Sequence, residues 1–132
     1  MKYLLDTHSF LWSIADSGKL TKKSIRILKN PGNEVFVSSV TLWEIAIKTR
    51  LGKLEIEGFS LDQLPGIIEH LRFGRIDCTM EDAIGYAGLK EPTHKDPFDR
   101  MLILQCIRRG LTMISADAEF PKFVPYGLKL IW

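Results

Sequence analysis

Short apolar runs alternate with longer segments of helical periodicity along most of the chain. These runs differ from their polar surroundings and are rich in residues that favour strands. No hairpin signal joins one run to the next, which is typical of parallel strands covered by helices on both faces. The pattern therefore predicts an α/β fold with about four to five parallel strands. The predicted strands are Lys2–Leu5, Glu34–Ser38, Arg75–Cys78, Leu111–Ile114 and Leu128–Ile131.

Capping signals set the boundaries of the predicted helices. Ser, Thr and Asp side chains satisfy the free N–H groups of a first helical turn, whereas Gly favours helix ends. The longest helix is predicted to open at Asp96-Pro97 and to end at Gly110. The other predicted helices begin at Asp6-Thr7, Thr21, Ser39 or Thr41, Pro65 and Thr79, and the third of these carries Leu42 to Leu51 before Gly52.

Length and composition are those of a water-soluble globular protein. The 132 residues fit one domain, 1–132, and 45% hydrophobic with 26% charged residues is an ordinary balance. No apolar stretch has the length of a membrane span, and Asp6 and His8 interrupt the first apolar run. We therefore expect a cytoplasmic protein without a membrane segment. Cys78 and Cys106 lack close spacing and are predicted to be reduced core residues.

Four carboxylates stand where predicted strands end or helices begin: Asp6, Glu44, Asp99 and Asp117. The carboxyl ends of parallel strands face a common crevice, so these acids are expected to converge on one pocket. Two carboxylates about 4 Å apart repel by roughly 4 kcal/mol at an effective dielectric of ~20. Such a group needs a divalent cation or a raised pKa to persist. Oxygen ligands suit Mg²⁺ or Mn²⁺, which favours a metal-dependent hydrolase.

Each acid also has a purely structural interpretation. Asp96 fits the N-cap of its helix and Asp99 the third helical position, where both satisfy backbone N–H groups. We assign Asp96 mainly to capping and Asp99 mainly to metal. Glu44 has Lys48 four residues on as an ion-pair partner, but its helix is apolar on most sides, which predicts burial. Asp6 could be another N-cap, with Ser9 three residues on, and Asp117 could simply cap a short turn.

The charge balance adds a weaker indication of a nucleic-acid partner. The formal net charge is only +2, but setting the four site acids aside leaves a basic excess on the remaining surface. Basic clusters could contact a phosphate backbone, although solvated helix faces explain any one of them equally well. The clusters are Lys22-Lys23-Arg26-Lys29, Lys48-Arg50-Lys53, Arg72-Arg75 and Arg108-Arg109.

Other site chemistries find little support. His8, His70 and His94 have no zinc-ligand spacing, and no nucleophile elbow, P-loop or dinucleotide fingerprint is present. A receiver-like phosphoacceptor would pair two acids after the first strand, where Asp6 stands alone. A haloacid-dehalogenase-type phosphatase would place an Asp two positions after Asp6, at the position of His8. We expect His8 and His94 near the pocket rim.

Four segments in order resemble the PIN-domain nucleases, specifically the VapC-type toxins of bacterial toxin–antitoxin pairs. They are Leu4-Leu5-Asp6-Thr7-His8, the stretch from Val37-Ser38-Ser39 through Trp43-Glu44 to Lys48, His94-Lys95-Asp96-Pro97-Phe98-Asp99-Arg100, and Ile114-Ser115-Ala116-Asp117-Ala118-Glu119-Phe120. The resemblance runs over essentially the whole chain. It implies a PIN-like fold and an endoribonuclease that uses Mg²⁺ or Mn²⁺ to cleave RNA.

The resemblance also assigns residues and partners. Its metal-binding acids fall on Asp6, Glu44, Asp99 and Asp117, with Thr7 or Ser9, Asp96 and Arg100 as supporting residues. Glu119 stands where the family often has a further Asp. The family implies a cognate antitoxin, and Trp12, Leu20 and Trp43 are candidates for the contact groove or for a homodimer face. The alternative is a PIN-like module that binds RNA or protein without catalysis.

Overall fold

The computed structural model describes all 132 residues and contains one sheet of five parallel strands. Their order across the sheet is β3-β2-β1-β4-β5, so β1 is central. This confirms the predicted α/β class. The strands are β1 (Lys2–Leu5), β2 (Glu34–Ser38), β3 (Gly74–Ile76), β4 (Thr112–Ile114) and β5 (Lys129–Ile131).

Helices connect the first four strands and cover both faces of the sheet, whereas a 3₁₀ segment joins β4 to β5. None of these helices is long and apolar enough to cross a membrane. Short 3₁₀ turns occupy Ser17–Lys19, Leu61–Gln63, Tyr86–Gly88 and Phe120–Tyr126. The helices are α1 (Thr7–Ala15), α2 (Lys22–Lys29), α3 (Ser39–Arg50), α4 (Leu64–His70), α5 (Met80–Gly85) and α6 (Pro97–Arg109).

Local capping chemistry explains where these helices begin. Thr21 accepts a hydrogen bond from the N–H of Ser24, and Asp96 accepts one from the N–H of Asp99, as the sequence predicts. The third helix begins at Ser39 because Ser38, the last residue of β2, is its N-cap. The first turn of α3 is therefore joined directly to the carboxyl end of the sheet.

The strand order places the candidate site. The chain runs outward from β1 to β2 and β3, then crosses to β4 and β5 on the other side of β1. The order therefore reverses beside β1, and ligands bind at such switch points, outside the carboxyl ends of the strands. Leu5 pairs with Ile114, so Asp6 and Ser115, the next residues, emerge side by side.

Alternate residues of β1 enter two separate hydrophobic cores. Leu4 packs on one face with Met113 and Leu102, whereas Leu5 packs on the other with Phe10 and Ile45. Both β1 residues are fully buried. Successive side chains of a strand point to opposite faces, so a strand buried on both sides is uniformly apolar. The run of apolar residues in β1 therefore follows from its central position.

Three sequence expectations in this region are wrong. The third strand is Gly74–Ile76, so it begins earlier and ends earlier than the predicted Arg75–Cys78. Gly74 is required there, because a Cβ at this position would lie 2.4 Å from the ring of Phe36. Cys78 is exposed, since the chain has already left the sheet and its N–H donates to Ser39 Oγ. Trp43, on the helix predicted to be buried, is 62% exposed.

A buried aspartate ties α5 to α6. Asp82 is fully buried and closes a capping box with Thr79, while its carboxylate accepts hydrogen bonds from Arg109 and Gln105. Arg108 Nε lies 3.1 Å from the same carboxylate. Burial alone would raise the pKa of Asp82, but the Arg109, Thr79 and Gln105 hydrogen bonds hold it well below its ordinary range.

We expect Asp82→Ala to destabilise the protein by about 2–4 kcal/mol, because it leaves a guanidinium and an amide without their shared acceptor. Urea unfolding measures this loss. The matched control is Glu81→Ala, a neighbouring exposed acid of the same helix, which should cost less than about 1 kcal/mol.

The difference in stability between wild type and Asp82→Ala should depend on pH. The pKa of Asp82 is lower in the folded state, so the contribution of Asp82 to the free energy of unfolding is complete above the ordinary pKa of 3.8 and is lost as pH falls. The stability gap between wild type and Asp82→Ala should therefore narrow below about pH 4. A gap that stayed constant into acid would contradict this assignment of Asp82 as an ionised anchor.

Candidate active site

The first acid of the site lies between β1 and β4. Asp6 is the N-cap of α1, where its Oδ1 accepts the N–H of Ser9 at 2.9 Å. Its Oδ2 accepts the hydroxyl of Ser115 at 2.6 Å, and Ser9 Oγ donates to the carbonyl of Ile114 at 3.0 Å. Burial nevertheless raises the pKa of Asp6. The carboxylate is therefore held in place by hydroxyl and amide donors but has no cation bonded to it.

The second acid, Glu44, is buried on α3 with only 2% of its surface exposed. Its Oε1 accepts the hydroxyl of Thr7 at 2.7 Å, and its Oε2 accepts the ammonium of Lys48 at 2.5 Å. Thr7 also lies 3.3 Å from the hydroxyl of Thr41. Because Thr7 follows Asp6 directly, the hydrogen bond from Thr7 to Glu44 links the first two acids through the start of α1.

The third acid, Asp99, occupies the first turn of α6. Its N–H donates to Asp96 Oδ1 at 2.9 Å, and its own Oδ2 lies 2.9 Å from His94 Nε2. Burial raises the pKa of Asp99 to about 6, and the negative charges of Asp96 and Glu44 add to the shift, against the His94 hydrogen bond. Glu44 and Asp99 therefore lie in one local field, although they come from different helices.

The fourth acid, Asp117, follows β4 after two residues. Its N–H donates to Ser115 Oγ at 3.1 Å, and its Oδ1 accepts the N–H of Glu119 at 2.8 Å. Asp117 and Asp6 line one cavity of about 220 Å³ together with His8, Trp12 and Ala116. Ser115 thus contacts both acids and joins them at the end of β4.

The structure brings the four acids to one edge of the sheet: Asp6 and Asp117 line one cavity, whereas Glu44 acts on Asp99 through its charge. It holds no group of three or more His, Cys, Asp or Glu side chains arranged for a metal ion. Each carboxylate instead faces a protein donor. The donor set suits a hard divalent cation, since all four ligand candidates are carboxylates and burial disfavours the negative charge of two of them.

Arg100 is buried and supports the loop next to the site instead of facing solvent. Its guanidinium donates to the carbonyls of Leu89, Glu91 and His94 at 2.6 to 2.8 Å. The Glu91 carboxylate accepts hydrogen bonds from Thr93 and from the N–H of His94, and these lower its pKa to about 2 against the effect of burial. Arg100 therefore holds the loop that carries His94 to Asp99.

Sequence reasoning missed the contact of Ser115 with Asp6, and it placed His94 only at the rim, where His8 does lie beside the cavity. The ion pair of Glu44 with Lys48, which the spacing offers as the structural interpretation, is present, with a buried carboxylate. The spacing of four between Glu44 and Lys48 and the position of Ser115 at the strand end are signals that point toward these contacts. Leu20, a candidate contact residue, is buried in the core, whereas Trp12 is half-buried.

We expect Thr7→Val to destabilise the protein by about 1–3 kcal/mol, since it leaves Glu44 Oε1 buried without its donor at nearly constant shape. Thr49→Val is the matched control on α3, because the buried Thr49 hydroxyl has no hydrogen-bond partner. Its stability should change by no more than about 0.5 kcal/mol. Thermal or urea unfolding measures both, and equal losses would argue against the Thr7–Glu44 bond.

Comparison with known proteins places this geometry in a family. The model of the PIN domain family matches residues 3–124. Comparison with curated protein sequences gives no match.

Several solved structures share the fold at low identity. The chain is similar to VapBC2 from Rickettsia felis bound to a promoter DNA fragment, with a TM-score of 0.71 and 19% identity, over 100% of this chain and 99% of the other. It is similar to DNA-bound VapBC from Salmonella typhimurium, with a TM-score of 0.69 and 20% identity, over 99% and 97% of the two chains. For VapBC-1 from nontypeable Haemophilus influenzae the values are 0.68 and 18%, over 99% and 97%. The family model matches nearly the whole length of the chain, and the solved structures share its fold. The chain therefore belongs to the PIN domain family.

Proposed function

We propose that this protein is a metal-dependent endoribonuclease of the VapC type, the toxin of a bacterial toxin–antitoxin pair. The observation that carries the proposal is the set of four carboxylates, Asp6, Glu44, Asp99 and Asp117, at the carboxyl edge of a PIN-domain sheet. Burial raises the pKa of Asp6 and Asp99, so their ionised forms need a cation nearby. Mg²⁺ or Mn²⁺ fits this need.

The chemistry follows from the donors around the acids. When bound, Mg²⁺ or Mn²⁺ supplies an acidified water and stabilises charge on the phosphate that is cleaved. The chain's own residues orient the ligands: Thr7 holds Glu44, and Ser115 holds Asp6. Asp96 fixes the first turn of α6, which carries Asp99. Such second-layer donors keep carboxylates in productive orientation.

A cognate antitoxin is the proposed protein partner. The structural neighbours are VapBC complexes, and an acidic cavity is a receptor for an Arg or Lys side chain. The cavity that contains Asp6 and Asp117 also contains Trp12, which offers an apolar contact beside the acids. A basic residue inserted there would compete with the metal and block entry of a phosphate. We expect both the antitoxin and the RNA to be met in the cytoplasm.

A homodimer is the proposed assembly. An apolar cavity of about 480 Å³ has a lining that includes Val40, Trp43, Phe98 and Met101. The rings of Trp43 and Phe98 meet edge to face at 5.2 Å, although Trp43 is largely exposed. Exposed aromatic side chains beside an apolar groove are typical of interface cores.

One observation favours a second function, a PIN-like module that binds RNA or protein without catalysis. Every site carboxylate already accepts a hydrogen bond from the protein, including one from the ammonium of Lys48. Carboxylates that are stabilised by such hydrogen bonds can persist without metal. A cleavage assay with purified protein and Mn²⁺ separates the two functions.

We expect Asp99→Asn to lower RNA cleavage by about 100-fold or more with the fold retained, because it removes one ligand charge at nearly constant shape. The assay is cleavage of single-stranded or looped RNA by purified protein in Mg²⁺ or Mn²⁺, with circular dichroism as the check on folding. Chelation of the metal should abolish the wild-type activity. The control is Asp62→Asn, at an exposed acid outside the site, and wild-type rates in Asp99→Asn would refute the acid assignment.

The toxin assignment predicts that expression of this chain alone arrests bacterial growth. Asp6→Asn should relieve the arrest at equal protein levels, because it disables the site without exposing new surface. Co-expression of the product of the adjacent upstream gene should relieve the arrest of the wild type. Normal growth with abundant folded wild-type protein would count against a toxin, and arrest by Asp6→Asn would mean that cleavage is not its cause.

A further inference from the structure

One positive charge lies inside the acidic site. Lys48 Nζ is 2.5 Å from Glu44 Oε2, one helical turn away on α3. The Lys48 side chain is 37% exposed, whereas that of Glu44 is 3% exposed. The ammonium therefore reaches a buried carboxylate from the solvent side.

More than one acid acts on this ammonium. The pKa of Lys48 is raised, first by the hydrogen bond to Glu44 and by its charge, and also by the charges of Asp96 and Asp99 on α6, while burial opposes the shift. Lys48 thus lies in the field of three carboxylates from two helices. An isolated surface pair four residues apart contributes little, but a buried carboxylate needs a partner for its charge.

Both oxygens of Glu44 are already engaged. Thr7 donates to Oε1 and Lys48 to Oε2, so no second strong donor is needed in the absence of metal. A divalent cation bound through Oε2 would share that oxygen with the ammonium of Lys48. Two positive centres close to one oxygen repel, so binding of the metal would weaken the contact between Lys48 and Glu44.

We propose that Lys48 is the resident counter-ion of the acidic site and that it leaves Glu44 when a divalent cation binds. This inference rests on the proposed function for its assignment of Glu44 as a metal ligand. Lys48 is then a positioning residue: it holds the Glu44 carboxylate in place in the metal-free protein, and it sets the metal affinity through competition. The released ammonium becomes available to other anions at the mouth of the site.

The direct test measures release of the ammonium in the wild-type chain. Acetic anhydride acetylates exposed, unpaired amines, and peptide mass spectrometry gives the rate at each lysine. Saturating Mn²⁺ should raise the acetylation rate of Lys48 by about fivefold or more, the linkage expected of two cations that compete for one site. Lys23 and Lys53, which are exposed, are internal references and should not change.

Substitution gives an independent measure. Lys48→Met keeps the length of the side chain without its charge, so Mn²⁺ should bind about fivefold or more tightly, by isothermal titration calorimetry of the full chain. The metal-free variant should melt at a lower temperature than wild type, and the difference should shrink in Mn²⁺. Lys53→Met is the control for loss of a nearby positive charge, and Lys48→Arg should restore wild-type affinity.

The outcomes separate this inference from the proposed function. If wild type does not bind Mn²⁺ at all, the proposed metal site fails. If Mn²⁺ binds but neither Lys48 acetylation nor the affinity of Lys48→Met differs from the Lys53 controls, the metal site stands and the counter-ion role of Lys48 is overturned. Because the acetylation test uses wild-type protein, it remains decisive even if Lys48→Met folds poorly.

Discussion

Negative charge concentrated at the carboxyl edge of a parallel sheet is the constraint on which this structure depends. The strand order reverses beside β1, where parallel sheets open a crevice, and the four acids lie at the adjoining strand and helix ends. Water is partly excluded, so repulsion among the acids is weakly screened. Hydrogen bonds from side chains and from the first turns of the helices partly offset this repulsion. Ser115 is the clearest case, since one hydroxyl contacts Asp6 and the N–H of Asp117 together.

The four acids whose pKa is shifted by the fold divide into two kinds. Asp82 and Glu91 are surrounded by donors that more than offset their burial, so their pKa values are lowered and their charge strengthens the fold. Asp6 and Asp99 have raised pKa values, because burial outweighs the donors that the fold provides. An acid of the first kind needs nothing further. One of the second kind retains a demand for positive charge, which is the physical mark of a site rather than of a structural anchor.

The neighbourhood of Asp99 shows how the two kinds work together. Arg100, the next residue, binds three carbonyls of the preceding loop, and Glu91 binds the N–H groups of that loop. These bonds fix the position of His94, whose ring lies against Phe123 and within 2.9 Å of Asp99. The Arg100–Glu91 ion pair thus supports a carboxylate whose pKa is raised by burial. Stability in the loop is what allows an electrostatically costly group at the helix start.

Local sequence signals are enough to predict the fold class, most element boundaries and the positions of the four acids. These follow from local physics: β1 is apolar because it is buried on both faces, and Asp6, Thr21, Thr79 and Asp96 begin helices because their oxygens satisfy free N–H groups. The early end of β3, the exposure of Cys78 and Trp43, and the long-range partners of Asp6 and Glu44 appear only in the folded chain. Those depend on contacts between residues distant in the chain. Ser115 reaches Asp6 across 109 positions, and Thr7 reaches Glu44 across 37. Local spacing cannot specify such contacts, because the strand register creates them.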